Sequence, residues 1–256
     1  ACEKGGQCQL ALDIFEAHPQ PDVVTYNTLI SACEKARPVR FDEALSLFAE
    51  LHTRLAPNVI SYNAVMAACA KAGHWQKALQ FFESLRRSES SSTTKVRPDV
   101  CSYNTVLSAL AKGGQRAKAF ELFDDLCKSE TTLAPDVITY SVLIAACEKD
   151  GRWRTALDLF REMQRRGLRP NLMTYTAAIS TCGSAGQWQK ALDLFAHVKR
   201  HNNGVNLITY NAAIAACAKS GQCDRAFDLF DELQQRGLAP DVVTYSATIS
   251  ACEKGG

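Results

Sequence analysis

Short runs with apolar residues at helical spacing recur along this chain, and the runs come in pairs. Residues 136–171 contain one complete pair of runs. At about 100° per residue, the apolar positions of the first run, from Val137 to Lys149, gather on one stripe of a helix. The stripe that we expect to pack inward consists of Tyr140, Leu143, Ile144 and Cys147. The opposite stripe, which we expect to face outward, consists of Ile138, Ser141, Ala145 and Lys149.

Helix start and stop signals border both runs. Asp136 stands where an N-cap belongs, and Asp150-Gly151 interrupts the first run. The second run, Trp153 to Arg165, has apolar residues at helical spacing, at positions 156, 157, 160 and 163. Gly167 is the expected C-terminal stop of this run. The pattern therefore predicts two antiparallel helices joined by a short turn.

The same helix pair recurs along the chain. Its first helix opens with two apolar residues, a Ser or Thr and a Tyr, and these openings start at residues 23, 59, 100, 137, 172, 207 and 242. The spacings are 36, 41 and 37, and then 35 three times. A period in this range is typical of stacked units that bury their apolar faces against their neighbours. We predict an all-α fold, an α-solenoid (right-handed superhelix) of stacked antiparallel helix pairs.

The openings divide the chain into repeats. We predict a partial repeat at 1–22, full repeats at 23–58, 59–99, 100–136, 137–171, 172–206 and 207–241, and a partial repeat at 242–256. Residues 36–40 lengthen one turn, and a Ser/Thr-rich insertion at 87–95 lengthens the repeat at 59–99. By composition, this insertion is a flexible loop that bulges outward and leaves the stack intact. Both chain ends share one repeat phase, which we interpret as a window on a longer array.

Seven of the eleven cysteines fall at one phase of the repeat. They are Cys2, Cys33, Cys69, Cys147, Cys182, Cys217 and Cys252, and Leu110 takes this place in the remaining unit. A cysteine that alternates with leucine behaves as a small core residue. We expect no zinc site, since the chain has no Cys-x-x-Cys pair, and no disulfides, since equivalent cysteines of stacked helices lie too far apart. Reduced thiols are typical of an intracellular or organellar compartment.

The remaining composition excludes several function classes. The net charge of +2 gives no strong electrostatic footprint for nucleic acid. No apolar run is long enough to span a bilayer, and no signal-peptide pattern occurs. The five histidines share no repeat phase, and no phosphate loop, nucleophile elbow or paired-carboxylate motif is present. We therefore expect no enzyme, no catalytic residues, no cofactor, no metal, no small-molecule substrate and no membrane insertion.

Four rows of residues repeat once per unit at positions that bear on binding. The fifth position is polar: Asn27, Asn63, Asn104, Ser141, Thr176, Asn211 and Ser246. The position that closes each repeat is acidic or an amide: Asp22, Asn58, Asp99, Asp136, Asn171, Asn206 and Asp241. The second position is apolar: Val24, Ile60, Cys101, Ile138, Met173, Ile208 and Val243. A lysine row ends the first helices: Lys35, Lys71, Lys112, Lys149, Lys219 and Lys254.

Each row also has a plain structural interpretation. Asp and Asn are good N-caps, and Asn, Ser and Thr are common in a first helical turn. The apolar row agrees with partial burial against the next helix. The lysines agree equally with a track of phosphate contacts and with cations favoured by the helix dipole at a C-terminus.

The repeat resembles the pentatricopeptide repeat family. The resemblance rests on the Val-Thr-Tyr-Asn opening, on a second helix such as Ala156-Leu157-Asp158-Leu159-Phe160, and on the Gly237-Leu238-Ala239-Pro240-Asp241 close. It covers essentially the whole chain. Tetratricopeptide repeats have a similar period, but their tryptophan–leucine–glycine–tyrosine pattern is absent here.

The resemblance implies binding of single-stranded RNA, one base per repeat, by the fifth and closing residues, with second-position residues sandwiching each base. Asn27 with Asn58 then resembles a pyrimidine reader. Asn63 with Asp99, Asn104 with Asp136, and Asn211 with Asp241 resemble uracil readers, and Ser141 with Asn171 and Thr176 with Asn206 resemble adenine readers. Ser246 opens a further pair. With the N-terminus toward the RNA 5′ end, the implied preference is 5′-(C/U)UUAAU-3′.

The resemblance also implies a setting for this activity. Family members act mostly in mitochondria and chloroplasts, so we expect either location, with a targeting segment outside this chain. There we expect organellar RNA processing or stabilisation, with single-stranded RNA as partner and other proteins of an organellar complex as further partners. The alternative is a scaffold, a repeat array within a larger protein or ribonucleoprotein assembly that has no base-specific readout.

Overall fold

The computed structural model describes residues 8–16, 20–89, 96–128, 133–201 and 204–255, and the regular structure in these residues is entirely helical. The chain forms two compact units, residues 1–135 and 136–256. The first contains α1 (Cys8–Glu16), α2 (Val23–Lys35), α3 (Phe41–Arg54), α4 (Val59–Lys71), α5 (Trp75–Glu89), α6 (Val100–Lys112) and α7 (Arg116–Lys128). The second contains α8 (Val137–Ala146), α9 (Trp153–Arg165), α10 (Leu172–Ser184), α11 (Trp188–His201), α12 (Leu207–Lys219), α13 (Cys223–Gln235) and α14 (Val242–Gly255).

Capping residues explain where the first helices begin. The Asp136 carboxylate accepts from the backbone N–H of Thr139 at 2.8 Å, and the Thr139 hydroxyl accepts from the backbone N–H of Asp136 at 3.1 Å. This reciprocal capping box satisfies donors that the first turn leaves unpaired. At the other end, Gly151 adopts a left-handed φ of 60° and reverses the chain toward α9.

One helix ends earlier than predicted. The first run was expected to be helical to Lys149, but α8 ends at Ala146 and a short 3₁₀ segment, Glu148–Asp150, follows. The Cys147 N–H bonds the Ile144 carbonyl three residues back, at 3.1 Å, which tightens the last turn.

Stacked helix pairs build each unit, and this confirms the predicted all-α fold. In the first unit α2, α4 and α6 lie side by side, and α3 and α5 each pack against the first helix before them and the first helix after them. In the second unit α8, α10, α12 and α14 do the same. The 87–95 insertion differs from the prediction at its start, because residues 87–89 continue α5; residues 90–95 lie outside the described residues. Across the insertion α4 still packs against α6.

A pair of aromatic rings joins successive repeats. Within each unit, the Tyr of a first helix meets the Phe of the preceding second helix with ring centroids 4.9–5.5 Å apart, mostly edge to face. The pairs within the two units are Phe15–Tyr26, Phe48–Tyr62, Phe82–Tyr103, Phe160–Tyr175, Phe195–Tyr210 and Phe230–Tyr245. Such pairs stabilise beyond their buried area, by about 0.5–1.5 kcal/mol each. The repeated Tyr is thus a packing residue, as its stripe predicted.

The cysteine row lies in the core, as expected. Cys33, Cys69, Cys147, Cys182 and Cys217 are fully buried, and so is Leu110. Burial raises the pKa of Cys69, Cys182 and Cys217 to about 11, so these thiols stay protonated and unreactive at neutral pH. Cys2 lies outside the described residues.

The tryptophans at the start of second helices pack against the following repeat. The Lys118 ammonium lies 4.9 Å from the centre of the Trp75 ring, and the Lys190 ammonium lies 3.9 Å from that of Trp153. These cation–π contacts join consecutive second helices within each unit.

Candidate nucleic-acid interface

An exposed apolar row lies along the first helices. Six second-position side chains are 54–67% exposed, namely Val24, Ile60, Ile138, Met173, Ile208 and Val243, and Cys101 is also exposed. Single exposed apolar residues are ordinary, but this row repeats at one position in every unit. Burial against the next helix therefore accounts for less than half of each of the six surfaces. Their sandwiching role remains a prediction.

The closing residues are N-caps, and capping fixes how each one is oriented. Asp99 Oδ1 accepts from the Ser102 N–H at 2.7 Å, and Asn171 Oδ1 accepts from the Thr174 N–H at 2.9 Å. Only an oxygen can accept here, so the other terminal atom is Oδ2 in Asp and Nδ2 in Asn. An Asp therefore offers a further acceptor and an Asn a further donor. The structural role and the predicted readout role are compatible in one side chain.

Where the fifth residue is Asn and its closing residue lies in the same unit, the two side chains bond directly. Asn63 Nδ2 donates to Asp99 Oδ1 at 3.1 Å, and Asn211 Nδ2 donates to Asp241 Oδ1 at 3.1 Å. Each amide keeps one N–H in addition. The Thr244 N–H lowers the pKa of Asp241, so its carboxylate acts only as an acceptor at neutral pH. Each Asn–Asp pair thus presents one donor and one acceptor.

The Asn27–Asn58 pair has a longer bond. Asn27 Nδ2 donates to Asn58 Oδ1 at 3.3 Å, and the buried Asn27 Oδ1 meets no donor among the described residues. At this pair the Ser61 hydroxyl donates to Asn58 at 3.1 Å and not to Asn27. The pair is therefore held less tightly than its Asn–Asp counterparts.

Where the fifth residue is Ser or Thr, an intervening hydroxyl links it to the closing residue. Ser141 Oγ lies 2.7 Å from Thr174 Oγ1, which donates to Asn171 Oδ1 at 3.0 Å. Thr176 Oγ1 lies 2.9 Å from Thr209 Oγ1, which donates to Asn206 Oδ1 at 3.0 Å. The Asn amide nitrogen is left as the donor of each pair.

The fifth position is less exposed than the face pattern predicted. Ser141, expected on the outward stripe, is only 2% exposed, and Asn27, Asn104 and Asn211 are also buried. Within each unit the capping turn of the next first helix covers this position, as the bonds to Thr174 and Asp241 show. These side chains are therefore largely buried, while the second-position residues remain exposed.

Three predicted site residues are not part of the pairs described above. Asn104 is buried in α6 of the first unit, and Asp136 caps α8 at the start of the second, so their pairing stays a prediction. Ser246 is exposed on α14.

The third position of each first helix was missing from the predicted site. From Ser61 onward this residue is fully buried, and in several repeats its hydroxyl also reaches the fifth residue: Ser102 Oγ lies 2.7 Å from Asn63 Oδ1, and Thr244 Oγ1 lies 2.7 Å from Asn211 Oδ1. The signal was available in the sequence, because all seven copies have Ser or Thr here. The third-position residues are Thr25, Ser61, Ser102, Thr139, Thr174, Thr209 and Thr244.

The lysine row is not uniform. Lys71 Nζ lies 2.7 Å from Glu34 of the preceding repeat, and Lys219 Nζ donates to Ser184 Oγ at 2.9 Å. Lys112, Lys149 and Lys254 are exposed and have no ion-pair partner among the described residues. The phosphate role remains a prediction for all six, and the charge of Lys71 is already balanced by Glu34.

This difference gives a salt test. We expect Lys149→Ala to reduce the slope of log affinity for single-stranded RNA against log salt by about 0.7, because one phosphate contact releases one counterion. Lys71→Ala is the matched control, and it should change the slope less, since Glu34 already balances that charge. Equal slopes for Lys149→Ala and the unmodified chain would contradict a phosphate contact at Lys149.

In the described part of the chain, no group of three or more His, Cys, Asp and Glu side chains could hold a metal ion. No helix in the same residues is long and apolar enough to cross a bilayer.

Solved structures similar to this chain contain the same repeats. PPR10, a pentatricopeptide repeat protein of maize, was solved in complex with an 18-nucleotide psaJ RNA element; it is 25% identical, with a TM-score of 0.59 over 97% of this chain and 39% of PPR10. The pentatricopeptide repeat domain of Arabidopsis thaliana PRORP1, solved in complex with tRNA, is 17% identical, with a TM-score of 0.58 over 73% of this chain and 95% of that domain. The chain thus spans about two fifths of the PPR10 chain.

Sequence comparison identifies the family. No curated protein matches the chain. The PPR repeat family model matches residues 98–149, 135–184 and 205–254, and the pentatricopeptide repeat domain model matches residues 13–72. A further PPR repeat model matches residues 60–90 and 173–203. These matches cover more than half of the sequence, and the chain belongs to the pentatricopeptide repeat family.

Proposed function

We propose that this chain binds single-stranded RNA sequence-specifically, one base per repeat, with the preference 5′-(C/U)UUAAU-3′. The observation that carries the proposal is the direct hydrogen bond between a fifth residue and a capped closing residue, seen at Asn63–Asp99 and Asn211–Asp241, beside the exposed apolar row of the first helices. In this proposal the chain binds and does not catalyse.

Hydrogen-bond complementarity supports uracil at the Asn–Asp pairs. Uracil has an N3–H donor between two carbonyl acceptors, whereas the same position of cytosine is an acceptor. The ionised Asp241 can accept from uracil N3–H, and the remaining Asn211 N–H can donate to a uracil carbonyl. Cytosine would bring its N3 lone pair against the carboxylate.

The same reasoning supports adenine where the closing residue is Asn. Capping leaves the amide nitrogens of Asn171 and Asn206 as donors, and adenine N1 is an acceptor. A uracil at these positions would set its N3–H against an amide N–H. The change from Asp to Asn at the closing position therefore exchanges an acceptor for a donor.

The related complexes support RNA as the partner. PPR10 was solved with a psaJ RNA element and the PRORP1 repeat domain with tRNA. By the family resemblance, we further propose a role in organellar RNA processing or stabilisation, in mitochondria or chloroplasts. Other proteins of such an organellar complex are further proposed partners.

Equilibrium binding to short RNAs tests the preference. We expect CUUAAU to bind this chain more tightly than CUUAUU by about 1–3 kcal/mol, the cost of one mismatched hydrogen-bonding edge. UUUAAU is the matched control and should bind as well as CUUAAU, since by the family resemblance the Asn27–Asn58 pair reads either pyrimidine. Equal affinity for all three RNAs would refute base readout and favour the scaffold alternative.

A further inference from the structure

Two cysteines from different repeat phases meet in the second unit. Cys223 begins α13, and Cys252 lies near the end of α14 at the phase of the buried cysteine row. Their sulfurs are 3.1 Å apart, with Cys223 donating to Cys252, and both side chains are partly exposed. The expectation that cysteines lie too far apart for bridging was argued for cysteines of one repeat phase. It does not cover this pair, because Cys223 comes from another phase.

The fold brings these two positions together. The residue that begins a second helix packs beside the end of the next first helix: in the first unit, Trp75 takes this place beside α6, where a Cβ added to Gly113 would lie 2.4 Å from the Trp75 ring. In the repeats between, the place of Cys223 is held by Arg116, Trp153 and Trp188. Cysteine at position 223 therefore replaces the aromatic packing contact that Trp75 makes with a contact between two thiols.

We propose that Cys223 and Cys252 form a reversible disulfide by exchange with a low-molecular-weight disulfide. A bond of about 2.05 Å needs the two sulfurs to approach by roughly 1 Å, within reach of small side-chain rotations. The buried cysteines of the row lack this opportunity, because each is enclosed in the core as a thiol.

The exchange proceeds in two displacements. One protein thiolate attacks a sulfur of the small disulfide, which forms a mixed disulfide and releases one small thiolate. The neighbouring protein thiolate then attacks the protein sulfur of the mixed disulfide and releases the second small thiolate. The two protons lost from the cysteines end on the two released thiols. The protein dithiol is oxidised, and the small disulfide is reduced to two thiols.

Peptide mapping after oxidised glutathione treatment tests the proposal. Because its thiol donates to Cys252, the pKa of Cys223 is raised, so the reaction is run at mildly alkaline pH. Trypsin cuts after Lys219 and Arg225 and after Arg236 and Lys254. We expect residues 220–225 and 237–254 to be recovered as one linked peptide, which dithiothreitol separates.

Two variants keep the outcome clear. Cys223→Trp restores the residue of the neighbouring repeats and should abolish the linked peptide while the chain stays folded. Cys127→Ser changes an exposed cysteine of α7 and should leave the link intact. Recovery of Cys223 and Cys252 as separate thiols or as separate glutathione adducts, with no linked peptide, would overturn the proposal.

Discussion

Phe195→Ala should lower the free energy of unfolding of this chain by about 3–5 kcal/mol, the cost typical of truncating a buried Phe. The Phe195 ring on α11 is only 3% exposed and meets the Tyr210 ring on α12 edge-on at 4.9 Å. Tyr210 in turn donates to Glu232 at 2.9 Å, which Lys199 of α11 approaches at 2.6 Å. Because each repeat is stabilised by its neighbours, loss of this contact weakens the stack.

The same Phe→Ala change at an exposed position separates the effect of burial from the effect of the residue type. Phe227 on α13 is 47% exposed, and Phe227→Ala removes the same atoms. We expect it to cost less than about 1 kcal/mol, since much of its surface is already in water. Urea unfolding followed by circular dichroism measures both. If Phe195→Ala cost no more than Phe227→Ala, the aromatic pairs would not be the inter-repeat contacts that we describe.

Met173→Ala combined with Ile208→Ala should weaken RNA binding by about 2–4 kcal/mol, from roughly 0.8 kcal/mol for each buried CH₂ that is removed. In the proposed arrangement these two side chains enclose the base that Thr176 and Asn206 read. Each is 66% exposed in the unbound chain. Their apolar surface is therefore available to cover a base, and truncating it should leave folding nearly unchanged.

Measuring both RNA affinity and folding stability makes this prediction specific. Affinity for CUUAAU should fall while the urea midpoint of the double variant stays close to that of the unmodified chain. Phe227→Ala also removes exposed apolar surface, but from a second helix, and it should leave RNA affinity unchanged. An unaltered affinity in the Met173 and Ile208 double variant would contradict the sandwiching role.

Much of the fold could be predicted from the sequence because its signals are local. Asp136 caps α8 as predicted, and the Tyr140, Leu143 and Ile144 stripe is buried. The α8 end was placed three residues too late, because helical periodicity does not report where the last turn tightens. The start of the insertion was placed too early for a related reason, because residues 87–89 are still part of α5.

The depth of the candidate site depends on neighbouring repeats and could not be predicted so well. Helical periodicity assigns Ser141 to a face of its own helix, but its burial comes from Thr174 in the next repeat. The third-position hydroxyls were overlooked because periodicity describes one helix at a time. A hydroxyl such as that of Ser102 bonds both the N-cap of its own helix, Asp99, and the fifth residue of the preceding repeat, Asn63. The Cys223–Cys252 contact was missed because comparing cysteines at one phase leaves out pairs between phases.

Recoding one repeat tests the central claim of base readout most directly. Thr176→Asn with Asn206→Asp gives the repeat at 172–206 the side chains of the next one, where Asn211, Asp241 and Thr244 already form the Asn–Asp arrangement. Binding of both proteins to CUUAAU, CUUAUU and CUUUAU would be measured by fluorescence anisotropy. We expect the unmodified chain to prefer CUUAAU, and the variant to prefer CUUAUU by about 1–3 kcal/mol, with CUUUAU disfavoured by both. A variant that folds and binds but keeps the original preference would contradict the claim.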